Sequence, residues 1–322
     1  MPATAGRRLL LATALALGLT AAHAAWPDRP IRFIVPAAAG GGPDIAARLF
    51  GDRLAARLGQ PVVIDNRPGA AGNIGMQAVM AAAPDGYTIG YGNNATLATN
   101  EFLFSKLPYD PARLVPVVQL TRGASLLVVN NESPAHNVQD LVRLARQKAG
   151  GMSFASGGTG TSGHVGAELF KHMAGFEAQH IPYKGAPQAI NDLMAGQVQF
   201  LFDNVSSVGP QVTGGKLRAL AVTTKERSPL FPNVPTMDEA GVKGFEMSAW
   251  GAIVAPPGTP AEIVVRINQI VNESVQDPAF AAQVQKMGTK AIGGSQADLQ
   301  HLIASERVKW GEVVRRSGAK VD

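Results

Sequence analysis

The chain is 322 residues long, with 29 Lys and Arg against 24 Asp and Glu, a formal charge of +5 and no cysteine. The absence of thiols excludes disulfides and thiolate metal sites, and the basic and acidic residues are interspersed, so there is no basic stripe of the kind that neutralises nucleic-acid phosphates. A chain of this length exceeds the usual single domain and predicts two lobes.

The N-terminus comes first. Arg7 and Arg8 precede the apolar run LLLATALALGL, and Ala22-His23-Ala24 has the small-x-small form of a cleavage site. Residues 1–24 therefore read as a secretory signal peptide, with the mature chain starting near Ala25 in the periplasm; the arginine pair leaves open whether export is by Sec or Tat. The run is shorter than the ~20 apolar residues a membrane span needs, and no second run of membrane length follows. Further along, the Val/Ile-rich runs IRFIV, PVVID, YTIGY, SLLVV, MSFAS, VQFLF, LRALAV and GAIVA alternate with segments of helical period. Strands alternating with helices predict parallel sheets in an α/β architecture.

Helix boundaries are punctuated. Thr259-Pro260-Ala261-Glu262 predicts a capping Thr with Pro at the first helical position, and Asp277 and Ser295 are expected to open the next two helices. Gly59, Gly150, Gly175, Gly196 and Gly288 each follow a periodic run, as left-handed C-terminal caps do. The 36 glycines concentrate in three turns, AAAGGGPD, RPGAAGNIG and SGGTGTSGH. In α/β folds ligands gather beyond the C-terminal ends of strands, where helix starts present unpaired amides and partial positive charge.

Each turn can be weighed by its chemistry. In the first, Gly40 to Gly42 would let backbone amides approach an anion, with Pro43 opening the helix; it lacks the glycine spacing of a dinucleotide fingerprint. The turn from Ser156 to His164 has P-loop spacing between Gly158 and Gly163, but His164 and Val165 replace the Lys and the Ser or Thr that hold phosphate and magnesium. It also misses the G-x-S-x-G nucleophile elbow, because His164 stands at the last glycine position. What remains is a hydroxyl-rich loop at a helix start, suited to a carboxylate held by neutral donors and the helix dipole. His164, Glu168 and His172 recur every four residues and could in principle ligate a metal; the expectation is instead that Glu168 and His172 lie on the solvated side of a helix whose apolar face is Val165, Leu169 and Met173, with His164 near the ligand and no metal bound. Asp203, after VQFLF, could orient a hydroxyl or water, or the segment could simply cap the helix around Ser206. Tyr183 and Lys184 end the strand QHIPY in the same way.

Taken together, WPDRPIRFIVP, GGGPDIAAR, VVIDNRPGAAGNIG, APDGYTIGYG, GTGTSGH, HIPYKG, VQFLFDN, LRALAVTT and WGAIVAPPGTP resemble the Bug family, the extracytoplasmic binding proteins of tripartite tricarboxylate transporters. The resemblance covers essentially the whole mature chain. It implies an α/β, type II-like periplasmic binding protein of two lobes, each a mostly parallel sheet flanked by helices and joined by crossing strands. Residues 25–123 and 252–322 would form one lobe and 124–251 the other. Carried onto this sequence, the ligand would meet Ala37, Ala38, Gly40 and Gly41 with Asp44 nearby, and Asn93, Asn94 and Thr96 after YTIGY. From the second lobe it would meet Ser156, Thr159, Thr161, Ser162, His164, Tyr183 and Asp203. The family also implies a small carboxylate ligand, membrane transporter subunits as partners, a monomer, no cofactor and no catalysis. Many members carry an aromatic residue where this chain has Ala37, which implies a larger pocket there. Two rival readings follow from the same residues: a periplasmic serine hydrolase using Ser162, His164 and Asp203, and a ligand-sensing partner of a signalling receptor. Ser162 and His164, two residues apart at a helix start, would diverge, which disfavours the hydrolase.

Overall fold

The computed structural model describes residues 26–147 and 151–321; the signal segment, the mature start near Ala25 and the cap expected at Gly150 lie outside the described residues. In chain order the strands are β1 (Ile31–Val35), β2 (Val62–Asn66), β3 (Thr88–Asn93), β4 (Val115–Gly123), β5 (Ser125–Asn130), β6 (Ser153–Ser156), β7 (Gln179–Pro182), β8 (Phe200–Asn204), β9 (Leu217–Val222), β10 (Ala249–Ala255) and β11 (Thr289–Gly293). The α-helices are α1 (Gly42–Leu58), α2 (Asn73–Met80), α3 (Asn100–Leu103), α4 (Val138–Gln147), α5 (Ser162–Ala174), α6 (Ala186–Met194), α7 (Val205–Thr213), α8 (Ala261–Gln276), α9 (Pro278–Gln285) and α10 (Gln296–Ser317).

The strands form two sheets, in the order β11-β4-β10-β3-β1-β2 and β7-β6-β8-β5-β9. Both are mixed, which corrects the expectation of mostly parallel sheets. β1 runs parallel to β2 and β3, and β6 to β7 and β8, whereas β10, β11 and β5 pair antiparallel with their neighbours. The strand-to-helix turns follow the parallel members. The antiparallel ones are the crossing strands and their neighbours, whose connections do not demand parallel geometry. β4 passes into β5 through Ala124 alone, and β10 begins at Ala249 in register with Gly123, so the two crossings lie side by side.

Period-two side-chain alternation makes each sheet two-faced. Ile31, Phe33 and Val35 of β1 enter one apolar cluster with Phe50 of α1, Ile267 of α8 and Phe280 of α9, while Ile34 enters another. In the second sheet Leu126 and Val128 pack towards Ile190 of α6 and Val208 of α7, and Leu127 and Val129 face the opposite side. That opposite cluster is shared: it runs from Met76 and Val79 of α2 through Trp310 and Val313 of α10 to Val165 and Phe170 of α5. A continuous core therefore joins the sheets along α10.

Most caps follow the sequence. Asp277 accepts the Ala279 amide, Ser295 and Asp298 form a capping box, and Gly59 and Gly175 are left-handed. Thr259 does not cap: α8 starts one residue later with Pro260 at the cap, and the Thr259 hydroxyl donates to Pro256 O at 2.8 Å, closing the turn before the helix.

Candidate functional site

Because the parallel strands within each sheet point the same way, their C-terminal ends and the helix starts that follow lie along one edge of each sheet. The two edges approach each other. A methyl group placed on Gly42, at the start of α1, would stand 3.9 Å from Ser206 Oγ in the first turn of α7. One on Gly160 would meet Ala71 Cβ at 3.8 Å, and one on Gly288 would meet Val205 Cβ at 2.7 Å. These approaches set the loops after β1, β2 and β3, and the turn before β11, against the loops after β6 and β8.

The first-sheet loop is pinned by charge. The buried Asp44 carboxylate accepts the Gly40 amide at 2.8 Å and Arg48 Nε at 3.0 Å; Arg48 reaches Asn66 Oδ1, and Asn66 Nδ2 donates to Ala37 O at 3.1 Å. Burial pushes Asp44 up, but the Arg48 and Gly40 hydrogen bonds outweigh it and hold the carboxyl below its usual range. The Gly40 amide thus serves Asp44, and the Gly41 amide donates to Ala38 O. Of the glycine triplet, Gly42 retains an amide with no intrahelical acceptor. Asp44 is a loop-holding residue, while Ala38 and Gly40 are exposed on the turn.

The second-sheet loop is pinned by neutral groups. Thr161 caps α5, accepting the His164 amide and donating to Gly158 O at 2.7 Å. Ser156 is fully buried and bonds Gly158 N, Gly158 O and His180 Nε2, which anchors the loop. His164 is buried as well: at 2 % exposure it stacks on His180 with ring centroids 4.0 Å apart, and its Nδ1 accepts the Gly160 amide. Burial, with His180 and Lys171 nearby, pushes it down to about 3, so the ring is neutral. Thr159 and Ser162 are partly exposed. The amides of Ser162 and Gly163 are left without intrahelical acceptors. Gly163 is required by space, since a Cβ there would lie 2.4 Å from Phe202 O, where α5 crosses the end of β8.

Asp203 closes β8 and is partly exposed, accepting the Asn204 amide at 2.7 Å. Burial pushes it up to about 6 against the opposing hydrogen bonds from Asn204 and Ser207. Tyr183 turns from the site: its hydroxyl donates to Asp192 at 2.6 Å and its ring packs with the α6–α7 core. Asn93 and Thr96 bond each other in a closed turn. Asn94 belongs to the crossing. Its amide donates to Ser248 O and Glu306 Oε2 and its oxygen accepts the Trp250 amide; Trp250 and Trp310 indoles donate to the same Glu306 oxygen. The α5 phase also differs from expectation. Glu168 is buried against Lys171 while Met173 is exposed, because α5 is covered on one side by the second sheet and on another by α10, where Arg316 meets His172. Among the described residues no His, Asp and Glu cluster is arranged to hold a metal.

Sequence reading marked the Gly40 to Gly42 amides and a helix cap around Ser206 without carrying Gly42 or Ser206 onto the ligand contacts. It marked the turn RPGAAGNIG but not its backbone: Ala70 and Ala71 adopt φ of 46° and 53°, a left-handed conformation costing roughly 1–2 kcal/mol per residue. Asn100, which donates to Ala71 O and to Asn73 Oδ1, holds this turn, with Tyr109 bonding Asn73 behind it. The loops 36–42, 69–72, 93–96, 157–162 and 203–207 contain no Lys or Arg.

Two α/β lobes joined by paired crossing strands, with helix starts facing each other between them, define the two-lobed architecture of solute-binding proteins. The sequence pattern described as "Tripartite tricarboxylate transporter family receptor" matches residues 46–319, and the chain belongs to that family of periplasmic receptors, the Bug proteins. It is 38% identical over 314 residues to the "UPF0065 protein in tcbD-tcbE intergenic region" of Pseudomonas sp. (strain P51), covering 96% of this chain and 93% of that one. Among solved structures it resembles R. palustris Rpa4515 with adipate (37% identity, TM-score 0.87, covering 92% of this chain and 100% of the other). It also resembles MatC of Rhodopseudomonas palustris with bound malate (30%, TM-score 0.83, 90% and 100%).

Proposed function

We propose that this protein, exported to the periplasm, captures a small carboxylate between residues 25–123 with 252–322 and residues 124–251, and delivers it to the membrane subunits of a tripartite tricarboxylate transporter. The carrying observation is that the starts of α1, α5 and α7, and the loops 36–41, 157–161 and 203–204 that lead into them, hold no cationic side chain. Each helix start offers about half a positive charge and amide donors. Such a site favours an anion yet releases it without breaking an ion pair with Arg. Helix starts on both sides of the cleft suit a ligand with acceptors at two ends, and adipate and malate, bound by two relatives, are dicarboxylates. The contacts we assign are the amides of Gly42, Ser162 and Gly163, the hydroxyls of Ser162, Thr159 and Ser206, and Asn93 with Asp203 at the rim.

A thermal-shift panel of mono-, di- and tricarboxylates alongside sugars and amines tests this. A carboxylate at 100 times its Kd should add about 2.7 kcal/mol of stability, and small-angle scattering should record a smaller radius of gyration with it. A panel in which only uncharged or cationic solutes stabilise the protein would overturn the reading.

A further inference from the structure

We propose that His180, on the edge strand β7, positions the ligand loop of the second lobe, acting through the Ser156 hydroxyl to fix the backbone of residues 157–161. The strand register places it there: Phe154 of β6 lies opposite His180, and Ser156 is two residues further along the same face. From that place His180 Nε2 reaches Ser156 Oγ at 2.7 Å. Ser156 passes the constraint on, lying 3.0 Å from Gly158 O and 3.2 Å from Gly158 N.

The loop needs such a constraint because its own residues supply only one side-chain tie, from Thr161 to Gly158 O. Gly158 and Gly160 have φ of 136° and 83°, and glycine ranges over both signs of φ at little cost. Side chains outside the loop must therefore select the conformation. One is His164, which takes the Gly160 amide; the other is the Ser156 and His180 pair, which takes Gly158. His180 touches no loop backbone itself, so its role is positioning. A purely structural role would instead rest on its ring, which stacks against Phe154 and His164 at 4.8 and 4.0 Å.

Two substitutions separate the roles. His180→Phe keeps a ring in the stack and removes the nitrogen; His180→Gln removes the ring and keeps a polar group within reach of Ser156. Amide hydrogen exchange on the mature, ligand-free protein reads the loop directly. A lost hydrogen bond of ordinary strength corresponds to about three- to tenfold faster exchange, expected at residues 157–161 in His180→Phe, with His180→Gln within about twofold of wild type and residues 200–204 unchanged in both. Ser156→Ala should loosen the loop by the same factor, and adding His180→Phe to it should loosen the loop no further. Wild-type protection in His180→Phe, or rescue by Phe but not by Gln, would overturn the proposal. Should His180→Phe fail to fold, Ser156→Ala decides alone: a loop as protected as wild type sinks it. The functional consequence rests on the carboxylate reading. Affinity for adipate should fall by the same factor as exchange rises. If adipate and the other carboxylates bind no protein, wild type included, that reading fails, while the positioning role still stands or falls on exchange.

Discussion

The loops after β1 and β6 do the same job, bringing a glycine-rich backbone to a helix start, and they are held by opposite chemistry. After β1 a buried carboxylate inside the helix, Asp44, draws back the Gly40 amide and is itself held by Arg48. After β6 nothing charged is used: Thr161, Ser156 and two neutral imidazoles hold Gly158 and Gly160. The first loop is pinned by residues a few positions away in sequence, the second partly by a strand 24 positions on. Glycine marks where the backbone must pass, and the surrounding elements decide how firmly it is held there.

Acid separates the two most strongly. Burial, with neighbouring His180 and Lys171, holds His164 at about 3, and burial with Lys171 holds His180 at about 4, both below the ordinary 6.5. The unfolded chain therefore takes up protons first, so this stabilisation is whole above pH 6.5, declines progressively below it and is gone once pH has fallen through 4 towards 3. At pH 4.5 the loss is on the order of 3–5 kcal/mol for the coupled pair. Asp44, held below 3.8, remains charged there. Exchange at residues 157–163 should outrun that at 37–44 when pH drops from 7.5 to 4.5. Equal loosening would break the contrast.

The converse experiment is Asp44→Ala. It strands the Gly40 amide and frees Arg48, and hydrogen bonds to a charged group are worth about 1.5–3 kcal/mol. Arg48 is half exposed, so its share is reduced by solvent, and a loss of about 2 kcal/mol is expected in urea unfolding. Asp44 is depressed, so its contribution is present above 3.8 and lost only as pH falls through its folded value. The difference from wild type should therefore be the same at pH 7.5 and 4.5. A deficit that shrinks by half at pH 4.5 would mean that Asp44 is not the charge that holds the loop.

How much of this was legible follows from the range of each interaction. The strands, their alternation with helices, the Asp277 and Ser295 caps and the three glycine turns are local patterns and were readable. The antiparallel crossings were not, because pairing of β10 with β3 and β4 joins residues far apart in sequence. His164 read as a ligand because it opens a helix beside a glycine loop. Only the fold brings His180 against it and buries both faces. Asn94 read as a site residue because it follows β3; Glu306, some two hundred positions later, draws it into the crossing instead. Glu168 shows the same limit, since helical period cannot reveal that α10 covers a second face of α5.

The smallest expected effect concerns the carboxylate that has no cation. Asp203 is raised to about 6 by burial, where Asp44, also burdened by burial, is lowered by its partners. Above pH 6 Asp203 is an anion at the rim of a cleft assigned to an anion. Repulsion between two such charges on the order of 6–8 Å apart, at an effective dielectric of about 20–40, costs roughly 1–3 kcal/mol. Binding of a carboxylate should therefore tighten by about tenfold as pH falls from 7.5 to 5, where the histidine pair of the folded protein is still neutral. Asp203→Asn keeps the shape and removes the charge. It should bind about tenfold more tightly than wild type at pH 7.5 and show little pH dependence between 5 and 7.5 by calorimetry. The fold should also gain stability at neutral pH, because a carboxyl raised in the folded state stabilises it below pH 3.8 and loses that contribution as pH rises through 6. Weaker binding by Asp203→Asn at pH 7.5 would mean that Asp203 accepts a hydrogen bond from the ligand, and would turn the assignment towards a carboxylate that also carries a donor.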